Sequence, residues 1–268
     1  MAAPGTSPAW PGLEGLPPYR SIADVPFLQA RAGGSRTALH AAGATLSYAE
    51  LDERVRRFAA HVEASGAGAG GRVAILLPNR PEFPIAYFGA IAAGAIAVPV
   101  NARLSPAEAA WVLADCGAAM VVTTRARHAQ LAGLEATRGV KAWVVVDGAG
   151  PGAVGFEAAL DRAPRAAPAP AAPGDVACLL YTSGTTGFPK GAMISHANAL
   201  FNVRSCRLAL GYRPGDVGLL TLPLFHVTGL HSQLLALLAC GGSVVLQAEY
   251  DTRQALELAS AHRVTALF

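Results

Sequence analysis

The residues best suited to chemistry lie together between Tyr181 and Gly191, which read YTSGTTGFPKG. Gly184 and Gly187 let a backbone turn tightly and present its N–H groups. Thr182, Ser183, Thr185 and Thr186 add hydroxyls suited to phosphate oxygens or a magnesium ion, and Lys190 adds a mobile positive charge. The apolar run Val176–Tyr181 predicts a strand that enters this loop directly. Behind it a helix is predicted over His196–Ala209, opening near Ser195 or His196 with its positive end turned inward. Such an arrangement grips a polyphosphate. A flexible Gly/Ser/Thr linker would need neither the apolar strand in front nor the Pro–Lys pair behind.

Other phosphate loops fit less well. The P-loop of NTPases ends in Gly-Lys-Ser/Thr, whereas Lys190 follows Pro189 and precedes Gly191. Gly66–Gly71, GAGAGG, matches GxGxxG but ends a helix and precedes a strand, the wrong order for a dinucleotide loop; a helix C-cap and turn is expected there. Gly148–Ala153, GAGPGA, does follow a strand, but only a short helical stretch comes after it.

A second group lies in Leu222–Gly229, LPLFHVTG. On residue type alone His226 is equally a core histidine beside an apolar helix. His231 follows five residues later, but two histidines without further ligands do not make a metal site, and a structural role is expected. Trp111, Phe201 and Phe225 are expected as core or pocket-wall aromatics. The four cysteines, Cys116, Cys178, Cys206 and Cys240, form no CxxC pair and are expected as reduced, buried thiols.

Positioning these groups requires a sizeable fold. The chain has 268 residues, 52% hydrophobic and 15% charged, enough to bury a core and too apolar for global disorder. A net charge of +3 with scattered Lys and Arg carries no basic stripe of a nucleic-acid binder. Ser47 with Glu50 predicts a capping box for an amphipathic helix carrying Leu51, Val55, Phe58, Ala59 and Val62. Further predicted strands are Arg72–Leu77, Ile96–Val100, Met120–Thr123, Trp143–Val146, Gly218–Leu222, Ser243–Gln247 and one beginning at Val264. Further predicted helices are Glu82–Ala95, Pro106–Cys116, Leu230–Leu238 and Thr252–Ala261. Strands alternating with helices predict an α/β fold with largely parallel sheets.

At YTSGTTGFPKGAMISHANAL, Tyr181–Leu200, the sequence closely resembles the AMP-forming acyl-activating superfamily, which includes acyl-CoA synthetases, firefly luciferase and peptide-synthetase adenylation domains. LPLFHVTG is similar to the Pro-x-Phe-His element of its CoA ligases and luciferases. PVNARLSPAEAAWVLADCGA, Pro99–Ala118, and LSYAELDERVRRFAAHV also resemble that family, so the likeness runs from about Ser35 onward. The resemblance implies stacked α/β subdomains and two steps: a carboxylate attacks the ATP α-phosphate, and the coenzyme A thiol then displaces AMP. It implies that Thr182, Ser183, Gly184, Thr185, Thr186 and Gly187 hold the β- and γ-phosphates, that Thr182 helps coordinate Mg2+, and that Lys190 supports the loop. It places His226 at the boundary of acyl and nucleotide sites, with Val227, Gly229 and Leu230 on the acyl side. A fatty or other apolar acid suits the uncharged stretch LFHVTGLHSQLLALL. An adenylating enzyme that loads a carrier-protein thiol, and a non-catalytic remnant serving as an interaction module, are the alternatives.

In outline, residues 1–20 are expected as an extended lead-in, 21–174 as a first α/β subdomain with a Pro/Ala-rich loop at 161–174, and 175–268 as the phosphate-loop region and the start of a second subdomain. An apolar strand at Phe268 and the lack of the family's later motifs predict an N-terminal fragment, inactive alone. No secretory signal is evident at the N-terminus, and Ile85–Val98 is too short to span a bilayer, so a cytoplasmic protein is expected. Oligomeric state is left open, a homodimer included.

Overall fold

The fold is that of a computed structural model whose described residues are 15–41, 44–182 and 189–267. In chain order its strands are β1 (Thr37–Ala41), β2 (Ala44–Ser47), β3 (Arg72–Leu76), β4 (Ile96–Pro99), β5 (Met120–Thr123), β6 (Ala142–Val145), β7 (Val154–Gly155), β8 (Val176–Thr182), β9 (Lys190–Ser195), β10 (Val217–Leu220), β11 (Ser243–Leu246) and β12 (Ala266–Leu267). Its helices are α1 (Asp24–Gly33), α2 (Tyr48–Ala64), α3 (Glu82–Ala92), α4 (Pro106–Asp115), α5 (Arg125–Leu131), α6 (Phe156–Ala159), α7 (His196–Leu210), α8 (Ala236–Ala239) and α9 (Thr252–Ala261). A π-helical stretch, Thr228–Leu235, runs into α8.

Among the described residues these strands form two sheets, in the orders β7-β6-β5-β3-β4-β8-β9 and β12-β10-β11-β1-β2. Neighbours are parallel throughout, except for the antiparallel pairs β8–β9 and β1–β2. The largely parallel α/β fold predicted from the sequence is therefore the fold found. The stretches 21–174 and 175–268 each give strands to both sheets, because β1 and β2 join β11 while β8 joins β4.

Parallel sheets are covered on both faces, which is why β3 and β5 read as continuous apolar runs. The covering helices follow from local chemistry. Ser47 accepts the Glu50 N–H at 3.2 Å, and the Glu50 carboxylate accepts the Ser47 N–H at 2.8 Å. This capping box starts α2 and contributes about 1 kcal/mol. The predicted stripe Leu51, Val55, Phe58, Ala59 and Val62 is buried; each large side chain in it contributes about 1.5–3 kcal/mol. Gly66, with φ +73°, ends the helix in the left-handed region, so the first GxGxxG match is a C-cap as expected. The apolar run after Glu82 becomes α3, buried from Phe83 to Ala92. No helix among the described residues is long and apolar enough to cross a membrane.

Several elements were not expected. α1, β1, β2, α5, β7 and β9 lie in short or alanine-rich stretches whose pattern carries little periodicity, while α6 is the short helical stretch expected after Gly148–Ala153. The proline-rich loop 161–174 is lashed to α2, where Arg56 donates to the Arg165 carbonyl at 2.6 Å and Arg57 to the Arg162 carbonyl at 2.9 Å. Phe201, expected in the core or a pocket wall, is instead 51% exposed on α7 and stacks under the Arg204 guanidinium. All four cysteines are free and buried, and burial pushes the Cys116 thiol up to about 11, far from a reactive thiolate.

Candidate functional site

The phosphate-loop motif sits at the tip of a β-hairpin. β8 and β9 pair antiparallel with Thr182 opposite Lys190 and Tyr181 opposite Gly191. Ser183, Gly184, Thr185, Thr186 and Gly187 lie outside the described residues. Thr182 and Lys190, both exposed, face each other across the neck of the loop. The expected inward-pointing helix is corrected by this geometry. β9 has six residues, so the start of α7 stands roughly 20 Å along the strand from the loop. Its first turn is capped within itself, by Ser195 accepting the Asn198 N–H at 3.1 Å. The helix dipole therefore supplies no charge to the loop.

The hairpin is fixed near its neck by Tyr181. The Tyr181 hydroxyl donates to the Asp115 carboxylate at the C-terminal end of α4. The ring lies over Gly191 and meets the edge of Trp111, with centroids 6.4 Å apart. Burial and the Asp115 bond both raise the Tyr181 pKa, so it stays a neutral donor.

LPLFHVTG forms the turn after β10. The His226 N–H donates to the Pro223 carbonyl at 3.0 Å, and the His226 carbonyl accepts from Leu230 at 2.9 Å, which starts the π-helical stretch. The His226 ring is exposed, its Nδ1 accepting the Thr228 N–H at 3.4 Å. Val227 is 43% exposed, whereas Gly229 and Leu230 are buried. A Cβ at Gly229 would stand 2.6 Å from the Pro223 carbonyl, so only glycine permits this tight entry. His231 is buried in the core with its Nε2 2.9 Å from the Tyr87 hydroxyl, and desolvation pushes its pKa down to about 4. It is structural, as expected.

The parallel strands bring both motifs to one edge. β3, β4, β5 and β8 share a direction, as do β10 and β11, and a cleft of about 610 Å³ opens just past the ends of β3, β5, β10 and β11. Ligands of α/β sheets bind at such carboxyl ends. Pro223 and Phe225 wall the cleft on one side, and Arg103, Arg127 and Glu249 supply its charges. Among the described residues no cluster of three or more His, Cys, Asp or Glu is placed to hold a metal; Thr182, expected from sequence to help coordinate Mg2+, is exposed at the neck of the hairpin.

Asn79 ties the cleft together and was missed. It is 5% exposed, and its Nδ2 donates to the carbonyls of Leu222 (3.0 Å) and Gln247 (3.1 Å). Its Oδ1 accepts the Leu224 N–H at 2.8 Å. The available signal was a polar residue, in LLPN, directly after a buried strand. Tyr181 and Asp115 were likewise missed as a pair; nothing local in sequence links them.

The family model described as AMP-binding enzyme matches residues 27–268. Feruloyl-CoA synthase from Amycolatopsis sp is 35% identical over 249 residues, covering 93% of this chain and 48% of that protein. 4-Coumarate–CoA ligase 3 from Oryza sativa subsp. japonica is 36% identical over 227 residues, covering 83% and 41%. The crystal structure of ATP-bound MatB from Rhodopseudomonas palustris superposes with a TM-score of 0.80 at 29% identity, covering 91% of this chain and 48% of that one. The chain thus spans about half the length, or less, of the curated relatives it matches.

Proposed function

Because this chain belongs to the AMP-binding enzyme family, we propose that the protein activates an apolar carboxylic acid with ATP and transfers the acyl group to coenzyme A, releasing pyrophosphate and AMP. The observation that carries this function is the placement of Thr182 opposite Lys190, at the neck of the hairpin on the carboxyl-end side of its sheet. In the first step a carboxylate oxygen attacks the α-phosphorus and pyrophosphate leaves. In the second the thiol displaces AMP and forms the thioester. Thr182, Ser183, Gly184, Thr185, Thr186 and Gly187 hold the β- and γ-phosphates, and Lys190 offsets their charge. The Thr182 hydroxyl would hold a magnesium ion bound to the triphosphate, which would offset the phosphate charge. His226 and Val227 face the acid, backed by the buried Gly229 and Leu230.

Aryl acids are the first substrates to expect, since the relatives above are by name a feruloyl-CoA synthase and a 4-coumarate–CoA ligase. Apolar walls such as Pro223 and Phe225 suit either an aromatic ring or a fatty chain. Free, buried thiols fit a reducing, cytoplasmic setting. The test is thioester formation by the full-length protein, with ferulate, 4-coumarate and a fatty acid offered in parallel and either coenzyme A or a carrier protein as acceptor. Acyl-CoA formed from an aryl acid supports the proposal. Transfer to carrier protein alone, or no adenylate with any acid, refutes it.

A further inference from the structure

We infer that Asn79 is a positioning residue that sets the acid-side loop, and hence acid selectivity, resting on the ligase function proposed above. Its amide spans both sheets. Asn79 follows the end of β3 in the first sheet, and the groups it binds, in Leu222, Leu224 and Gln247, follow the ends of β10 and β11 in the second. These bonds cross 143 to 168 residues of sequence. Both amide hydrogens and the amide oxygen are engaged, so the side chain is nearly saturated. A buried polar group bonded in this way has one allowed pose, because any other pose leaves buried partners unpaired.

That pose is transmitted to the loop. Leu224, held at 2.8 Å, stands two residues before His226 and beside Phe225, which walls the cleft with Asn79 itself. The next turn is rigid, through the His226 N–H to Pro223 and the absence of room at Gly229 for a side chain. Moving Leu224 therefore moves His226 and Phe225 together. The hairpin of Thr182 and Lys190 is anchored elsewhere, through Asp115, and is untouched by Asn79. The consequence is separable: losing the amide should disturb the acid side and spare the ATP side.

Asparagine is the residue type this requires. Aspartate has nearly the same shape but only acceptors when ionised, so it would face the Leu222 and Gln247 carbonyls with repulsion. Asn79→Asp is the decisive variant, and Asn79→Ser, which keeps one donor in a smaller side chain, carries the same measurements if the aspartate form does not fold.

The experiment compares wild type with these variants in the full-length protein by hydrogen exchange and steady-state kinetics. Exchange over 221–230 should rise about tenfold or more, with the β8–β9 hairpin unchanged. KM for the acid should rise about tenfold or more and the order of preferred acids should change, with KM for ATP within about twofold. Unchanged exchange over 221–230 overturns the inference, as do parallel rises in both KM values or altered exchange without altered acid kinetics. If wild type activates no acid, the ligase function fails, while the exchange measurement still decides whether Asn79 holds the loop.

Discussion

Tyr181 lies so close across Gly191 on the neighbouring strand that a methyl group there would stand 3.1 Å from the tyrosine ring. An aromatic ring covering an edge glycine pins strand register. Here the pinned pair is one step from Thr182 and Lys190, so the register of the phosphate hairpin depends on it. Tyr181→Phe keeps the ring and deletes the bond to Asp115. It should cost at most about 1 kcal/mol of stability, the bond being exposed. Gly191→Ala should cost more in ATP affinity than in stability, because the methyl displaces the ring. Denaturant melts with KM for ATP separate the two effects; equal losses in both variants would contradict this geometry.

Thr182 and Lys190 are exposed, so replacing either by alanine should leave stability within about 0.5 kcal/mol of wild type. Activity should behave differently. With the triphosphate bound as proposed, loss of the Lys190 charge or the Thr182 hydroxyl should lower the adenylation rate about 10²-fold. Thermal melts beside single-turnover adenylation check both halves.

His226→Ala should also leave stability unchanged, since the ring is exposed and its Nδ1 makes only the long contact to Thr228. KM for the acid should rise while KM for ATP holds. Initial rates across an acid series measure this, and a rise in KM for ATP alone would move His226 to the nucleotide side.

Stability should fall in mild acid, with His231 a principal cause. Its pKa is pushed down to about 4 by burial, from an ordinary 6.5. Between these values the unfolded chain binds the proton and the folded chain does not, so acid favours unfolding. The contribution is fully present above pH 6.5, is lost as pH falls toward 4, and amounts to about 3 kcal/mol. Burial also lowers His40, His61, His128 and His196, which act in the same direction. His231→Gln can keep a bond to Tyr87 and should flatten the pH dependence of urea melts between 6.5 and 4. An unchanged slope would contradict the assignment.

Sequence carried the parts that local chemistry determines. The Ser47–Glu50 capping box, the stripe on α2 and the strands β3, β5 and β11 follow from residue type and period. The glycine, hydroxyl and lysine residues between Tyr181 and Gly191 suggest a phosphate loop because such a mixture in one short stretch serves few other purposes, and its two flanks, Thr182 and Lys190, face each other across the hairpin. β9 was not readable, because KGAMIS is an edge strand whose first four residues are exposed, so its pairing with β8 rather than a buried pattern defines it. β1 was hidden for a different reason: TALHA is a short interior strand between β11 and β2, and its parallel partner β11 lies some 200 residues away. Asn79 and the Tyr181–Asp115 bond are products of tertiary contact, which no window of neighbouring residues encodes.

The most direct test of the central claim is acid-dependent exchange of pyrophosphate into ATP by the full-length protein, with wild type and Lys190→Ala side by side. The account predicts exchange that requires an apolar acid, strongest with an aryl acid such as 4-coumarate, and falls about 10²-fold in the variant. Exchange that is absent with every acid, or undiminished by the loss of Lys190, would contradict it.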